Sequence, residues 1–252
     1  SRVLPSPGQW WRLCLLSLLN IAAFQALLFI AAYRLPGGLA AVLGACQPLI
    51  LLGLIWGLQR QRPALHKLTA ALTAVTGMAL LLLGPTDTWD VLGVLAAFGG
   101  AISMACGVFF AKRWQQQLPL LAFTGWQLTL GGLMLLPAAL WIDPAITQLD
   151  MLEGLSYAYL SLCGALLAYV LWFRGIAKLA PVAISALALL SPLSAVALGW
   201  ILLEQSLDTQ ALLGLAIVLI SIATLQCNTN PLQTLRLTLP TTSKLPRRGI
   251  SK

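Results

Sequence analysis

Carboxylates are scarce in this sequence. Seven Asp and Glu stand in 252 residues, and all charged residues together make up 9% of the chain. A water-soluble domain carries roughly 25% charged residues, so too few charges are present here to cover a surface facing water. Histidine occurs once, at His66. None of the five cysteines (Cys14, Cys46, Cys106, Cys163, Cys227) forms a CxxC pair, and four lie inside apolar runs. That excludes a disulfide framework or a zinc site as the organising principle, and no metal or other cofactor is expected. Alternating apolar and polar residues in segments of about ten are also missing, which excludes a membrane β-barrel. No HExxH, paired carboxylates or nucleophile–base pair lies in an apolar run, so an enzyme is not expected. No filter loop or lined pore marks a channel.

What the chain has in abundance is apolar length. Hydrophobic residues make up 59% of it. A membrane-spanning helix needs about 20 mostly apolar residues. Eight candidates follow one another: Leu13–Tyr33, Gly38–Leu58, Leu68–Leu83, Val91–Ala111, Leu120–Ile142, Gly154–Phe173, Val182–Leu203 and Thr209–Leu225. They are apolar all round, as helices in lipid are. The gaps carry turn residues, as in Leu35-Pro36-Gly37, Arg62-Pro63, Gly84-Pro85 and Asp143-Pro144. The fold class expected is therefore all-α, a membrane protein of about eight transmembrane helices. The tail over 227–252 is rich in Thr, Pro, Lys and Arg and is expected to be disordered and basic.

Charge is sorted by side. The formal net charge of +8 is not spread as a nucleic-acid footprint, and no nucleic-acid partner is expected. One side collects Arg2, Arg12, Arg60, Arg62, Lys67, Lys112, Arg113, Arg174, Lys178 and five tail residues, fourteen of the fifteen basic residues. The other side holds Arg34 and all seven acids, Asp87, Asp90, Asp143, Asp150, Glu153, Glu204 and Asp208. The positive-inside rule then puts both termini in the cytoplasm. Adding or dropping one helix would scramble this split.

An offset of 144 residues aligns the chain with itself. Leu35 meets Leu179, Pro48 meets Pro192, Trp56 meets Trp200, Gln61 meets Gln205 and Phe29 meets Phe173. Runs one to three then fall on runs six to eight. The charge at a run's end changes sign, Arg60 in one copy and Glu204 in the other. That is what inverted copies require, and the spacing suits a five-helix unit. The expected organisation is a partial repeat over 1–84, holding three helices, and a complete repeat over 91–226, holding five. Two further helices are expected ahead of Ser1, making the whole a ten-helix protein. Inverted repeats mark secondary transporters, with the solute bound near the midplane between them.

The stretch Leu167-Ala168-Tyr169-Val170-Leu171-Trp172-Phe173-Arg174 resembles a helix of the drug/metabolite transporter superfamily, specifically its EamA-type exporters. Ala177-Lys178-Leu179-Ala180-Pro181, Ser191-Pro192, Leu198-Gly199-Trp200 and Glu204 continue the likeness, and Tyr33-Arg34-Leu35-Pro36-Gly37 through Gln47-Pro48 looks like the same motif again. The resemblance implies an inner-membrane exporter working by alternating access, with a central cavity lined by both repeats. Two departures bear on substrate and coupling ion. Ser191 stands where the family often has an acid, and Arg60 where an acid often ends the helix, while Glu204 keeps its place.

Polar groups inside hydrocarbon are costly unless paired or wet. Those expected to bind solute are Asn20, Gln25, Gln47, Trp126, Gln127, Tyr169, Trp172 and Ser191. Each has a plainer reading as interhelical glue, or, for the aromatics, as an interface anchor. Pro48 and Pro192 should each kink a helix and are candidate matched hinges. Gly99, Ser103, Gly107 and Ala111, spaced by four, form a small-residue face for close packing. Arg174 and Lys178 read as snorkelling topology markers before they read as solute ligands. The function expected is transport of a small polar or amphiphilic metabolite; the alternative is a non-transporting membrane scaffold or receptor. The expected partners are that small molecule and the bilayer, and a homodimer is compatible with the pattern.

Overall fold

The structure is a computed structural model that describes residues 4–35, 37–83, 90–114, 118–142, 150–202 and 209–227. Among these residues there is no strand, and eight helices are long and apolar enough to cross a membrane. We number them α1 (Pro7–Arg34), α2 (in two halves, Gly37–Gly44 and Gln47–Gln59), α3 (Leu65–Leu82), α4 (Val91–Trp114), α5 (Leu120–Ile142), α6 (Met151–Lys178), α7 (Pro181–Leu187 and Leu190–Leu202) and α8 (Thr209–Cys227). The tail from Asn228 to Lys252, Arg2, and the acids Asp87, Asp143, Glu204 and Asp208 lie outside the described residues.

The helix ends follow local chemistry. Helix α1 stops at Leu35, which is extended (ψ 148°) ahead of Pro36, because a residue before proline is driven out of the helical region. Asp90 opens α4 by accepting the Gly93 N–H on Oδ1 at 2.7 Å. Asp150 opens α6 with a capping box: its own N–H donates to Glu153 Oε2 at 3.0 Å. Pro181 starts α7, where its missing N–H has no helical acceptor to lose.

Several basic residues assigned to gaps by the apolar pattern are in fact helical. His66 and Lys67 belong to the first turn of α3, Lys112 and Arg113 to the last turn of α4, and Lys178 to the last turn of α6. The hydropathy of the flanks had cut those helices short. In α4 and α6 the cations stand at the C-terminus, where they are favourable, and exposed basic side chains such as Arg113 and Lys178 reach out of the apolar zone.

Packing centres on α4. Over half of its apolar stretch is buried, 56%, against 11% for α6. Gly99, Ser103 and Gly107 turn toward α1: a Cβ on Gly99 would touch Leu27, and one on Gly107 would overlap Asn20. Ser103 Oγ donates to Leu19 O at 2.9 Å. The small-residue face is thus a packing surface. A second close pair is α3 with α8, where Gly77 and Gly214 let the backbones meet and Thr73 and Ser221 share a hydrogen bond of 2.9 Å. The C-terminal part of α5 and the N-terminal part of α6 present bare apolar side chains such as Leu140, Trp141, Met151 and Leu155.

Helices α2 and α7 are both interrupted, at Ala45–Cys46 and Ala188–Leu189. A proline ring collides with the carbonyl four residues earlier, which here is Gly44 for Pro48 and Ala188 for Pro192. The disturbance expected from the sequence takes the form of a two-residue interruption at which the backbone stays in the right-handed helical region, and Pro48 lies in the first turn of the second half. Helices α1 and α6 each contain a π-helical stretch, Leu18–Ala22 and Leu160–Leu167.

Candidate functional site

The first candidate site forms where α1, α4 and α5 meet. A π segment inserts one residue into a turn and re-aims its side chains. The one in α1 is centred on Asn20, which is fully buried. Asn20 Nδ2 donates to Gln127 Oε1 of α5 at 3.0 Å, and Gln127 is also fully buried. The facing helix supplies Gly107, whose bare Cα makes room for the Asn20 amide. Each amide retains one unsatisfied group, Oδ1 of Asn20 and Nε2 of Gln127.

Two more expected residues carry buried polar atoms without a partner. They are Gln47 at Nε2, beside the break in α2, and Trp172 at Nε1 in α6. The structure therefore brings Asn20 and Gln127 into contact, buries Gln47, and leaves Trp172 half-buried with its Nε1 covered. The remaining expectations fall elsewhere. Trp126 packs edge-on against Trp10 with centroids 5.0 Å apart. Gln25 is half-buried on α1, and Ser191 is exposed on α7. Tyr169 tilts onto Phe173 at 5.9 Å. Pro48 is buried and Pro192 half-buried.

A second concavity escaped the sequence reading. A cavity of about 320 Å³ opens between the ends of α4, α5 and α6, lined by Ala111, Lys112, Leu118, Leu120, Phe123, Phe173, Ile176 and Ala177. Phe123 and Phe173 meet edge to face at 5.3 Å. Lys112 is 3% exposed, and its Nζ donates to Ala177 O at 2.7 Å. In sequence Lys112 is half of a Lys-Arg pair at a helix end, which reads as a topology marker, and only the packing separates it from its exposed neighbour Arg113.

At the opposite end Arg34 pairs with Asp90 at 3.4 Å, both side chains well exposed, so the pair contributes under about 1 kcal/mol. Among the described residues no cluster of His, Cys, Asp or Glu could hold a metal ion. The chemistry on offer is neutral hydrogen bonding in an apolar interior, together with one buried ammonium.

The model of the EamA-like transporter family matches residues 1–83 and 91–226. The chain belongs to that family. This EamA-like chain is 39% identical over 217 residues to the protein PecM of Dickeya dadantii (strain 3937), covering 85% of this chain and 73% of PecM. It is 27% identical to the chloroplastic WAT1-related protein At3g02690 of Arabidopsis thaliana, over 84% of this chain but 54% of that one, so it spans about half the plant relative's length. A protein of known crystal structure superposes with a TM-score of 0.73 at 18% identity, over 89% of this chain and 79% of the other, which shows a shared fold. The EamA-like chain is a multi-pass membrane transporter.

Proposed function

We propose that this transporter exports a small polar or amphiphilic metabolite, amino-acid-like or drug-like, by alternating access. The observation that carries the reading is a set of covered polar atoms with no hydrogen-bond partner in membrane-spanning helices: Asn20 Oδ1, Gln127 Nε2, Gln47 Nε2 and Trp172 Nε1. A buried polar atom without a partner costs about 1–3 kcal/mol. That cost is offset when a solute bearing both donors and acceptors binds there. Three donors and one acceptor suit a solute with several carbonyl or carboxylate oxygens and one or more N–H groups.

The inverted repeat is part of the same proposal. Supporting it, Leu18–Ala22 shifted by 144 residues falls at 162–166, inside the π segment of α6. The breaks before Pro48 and Pro192 lie at nearly the same offset. Matched breaks in matched helices are where two halves would rock about a central solute, with Pro48 and Pro192 as hinges. The charge sorting supports cytoplasmic termini, and an inner-membrane location is part of the same proposal.

The test is efflux from proteoliposomes loaded with a labelled panel of amino acids, nucleosides and amphiphilic cations, with and without a proton gradient. Efflux of one solute class, lost in Asn20→Leu and in Gln127→Met, is the expected result. No efflux across the panel would overturn export of a solute of this class. Single cysteines at positions 34 and 113, probed with an impermeant maleimide in cells, should label from opposite sides.

A further inference from the structure

Lys112 does something its neighbours do not. Basic side chains at the end of a membrane helix normally stretch toward water, and Arg113, Arg174 and Lys178 are exposed in that way. Lys112 turns inward and is 3% exposed. A buried charge is costly unless it is paired, and among the described residues none lining the spaces beside Lys112 is acidic. Its one partner among the described residues is the Ala177 carbonyl at 2.7 Å, near the C-terminus of α6. A helix C-terminus carries about half a negative charge, so the contact offsets part of the ammonium and leaves a net positive site. An ammonium has three N–H donors, and this bond uses one.

The space around that charge has two parts. On one side is the cavity of about 320 Å³, with apolar walls from Leu118, Leu120, Phe123, Phe173 and Ile176. On the other is a niche of about 10 Å³ shared with Gln59 and Arg113, enough for about one water molecule. Gln59 Oε1 is buried there without a hydrogen-bond partner. The larger cavity is at the lower end of the range for small-molecule sites. It combines one cation with two aromatic rings.

We propose that this cavity binds an organic anion with an apolar body, the acid group on Nζ of Lys112 and the body against Phe123 and Phe173. The site is separate from the Asn20–Gln127 pair and does not depend on transport by it. The same chemistry could be met by a free carboxylate from the aqueous phase or by the headgroup of an anionic lipid.

The experiment is equilibrium binding of 4-phenylbutyrate to the purified chain in maltoside micelles, followed by tryptophan fluorescence, with 4-phenylbutyramide as the neutral control. The acid is expected to bind at least tenfold more tightly than the amide. Lys112→Gln should erase that preference, and Lys112→Arg should keep it within about threefold. Ile176→Trp, which fills the cavity and leaves the charge, should abolish binding of both probes; it also serves if Lys112→Gln does not fold. Repeating the titration in nanodiscs separates the two sources. Displacement by phosphatidylglycerol but not phosphatidylcholine would assign the site to lipid, and persistence of acid binding in phosphatidylglycerol would assign it to a soluble acid. Equal affinity for acid and amide, unchanged binding in Lys112→Gln or Ile176→Trp, or no binding of probe or anionic lipid would overturn the proposal. None of these readouts involves efflux, so a failed transport assay leaves this test intact.

Discussion

Asn20 in α1 and Gln127 in α5 lie 107 residues apart in sequence and share a 3.0 Å hydrogen bond in the interior of the bundle. Each is fully buried and each keeps one polar atom unsatisfied. A pair held only for stability could be replaced by apolar residues of like shape at little cost. Asn20→Leu and Gln127→Met should each destabilise by about 1–2 kcal/mol, because each strands its partner. The double variant should recover about 0.6 kcal/mol of the summed loss, a usual coupling for interhelical pairs in membranes. Unfolding in mixed micelles measures this cycle. Efflux should stay lost in the double variant even though part of the stability is regained.

Glycine contacts grade the packing. A Cβ on Gly214 would meet Leu81 N at 2.5 Å and Gly77 O at 2.7 Å, both backbone atoms. Backbone cannot step aside as a side chain can, so Gly214→Ala should cost about 1–3 kcal/mol and loosen α8 from α3. A Cβ on Gly107 would overlap the Asn20 amide, so Gly107→Ala should cost a similar amount and break the Asn20–Gln127 bond. Gly125→Ala meets nothing within 4 Å and should be neutral or stabilising by up to about 1 kcal/mol. Thermal unfolding of the three variants side by side checks the order.

Arg60 closes α2 with φ 55° and ψ 23°, the left-handed region. It is the one non-glycine residue with positive φ among the described residues. A side chain there costs roughly 1–2 kcal/mol, which glycine avoids. Arg60→Gly should therefore raise stability by about 1 kcal/mol, seen as a higher melting temperature.

Pro48 and Pro192 follow the breaks in α2 and α7. If the breaks are hinges, Pro48→Ala and Pro192→Ala should let each helix close and slow the change of access. Turnover in the efflux assay should fall roughly tenfold, about 1.4 kcal/mol on the barrier, while solute affinity measured at equilibrium changes little. Equal turnover in both variants and the parent would make the breaks static.

Much of this was legible in the chain itself. Helix α5 runs from Leu120 to Ile142, the span that hydropathy alone marks. The other helices differ from their apolar runs by a few residues at the ends, where caps such as Asp150 and terminal cations such as Lys112 extend the backbone past the hydrophobic stretch. Among the residues expected to bind solute, Asn20, Gln47, Gln127 and Trp172 carry covered polar atoms without partners, and the sequence could single them out because an amide or indole N–H in hydrocarbon is costly wherever it points. Trp126 and Ser191 show the limit of that argument. The cost of burial says nothing about whether a group turns to another helix, to lipid or to a cavity.

Sequence by itself determined the class. With 59% hydrophobic residues and 9% charged, no arrangement of these helices could face water, and lipid forces every backbone polar group into helical hydrogen bonds. Tertiary structure decided the partnerships. Apolar helices carry no stripe that announces which neighbour each side meets, since lipid and protein are equally apolar. Only packing could put Asn20 against Gln127, open the face of Gly107 to receive the Asn20 amide, and turn Lys112 inward while Arg113, one residue on, reaches out.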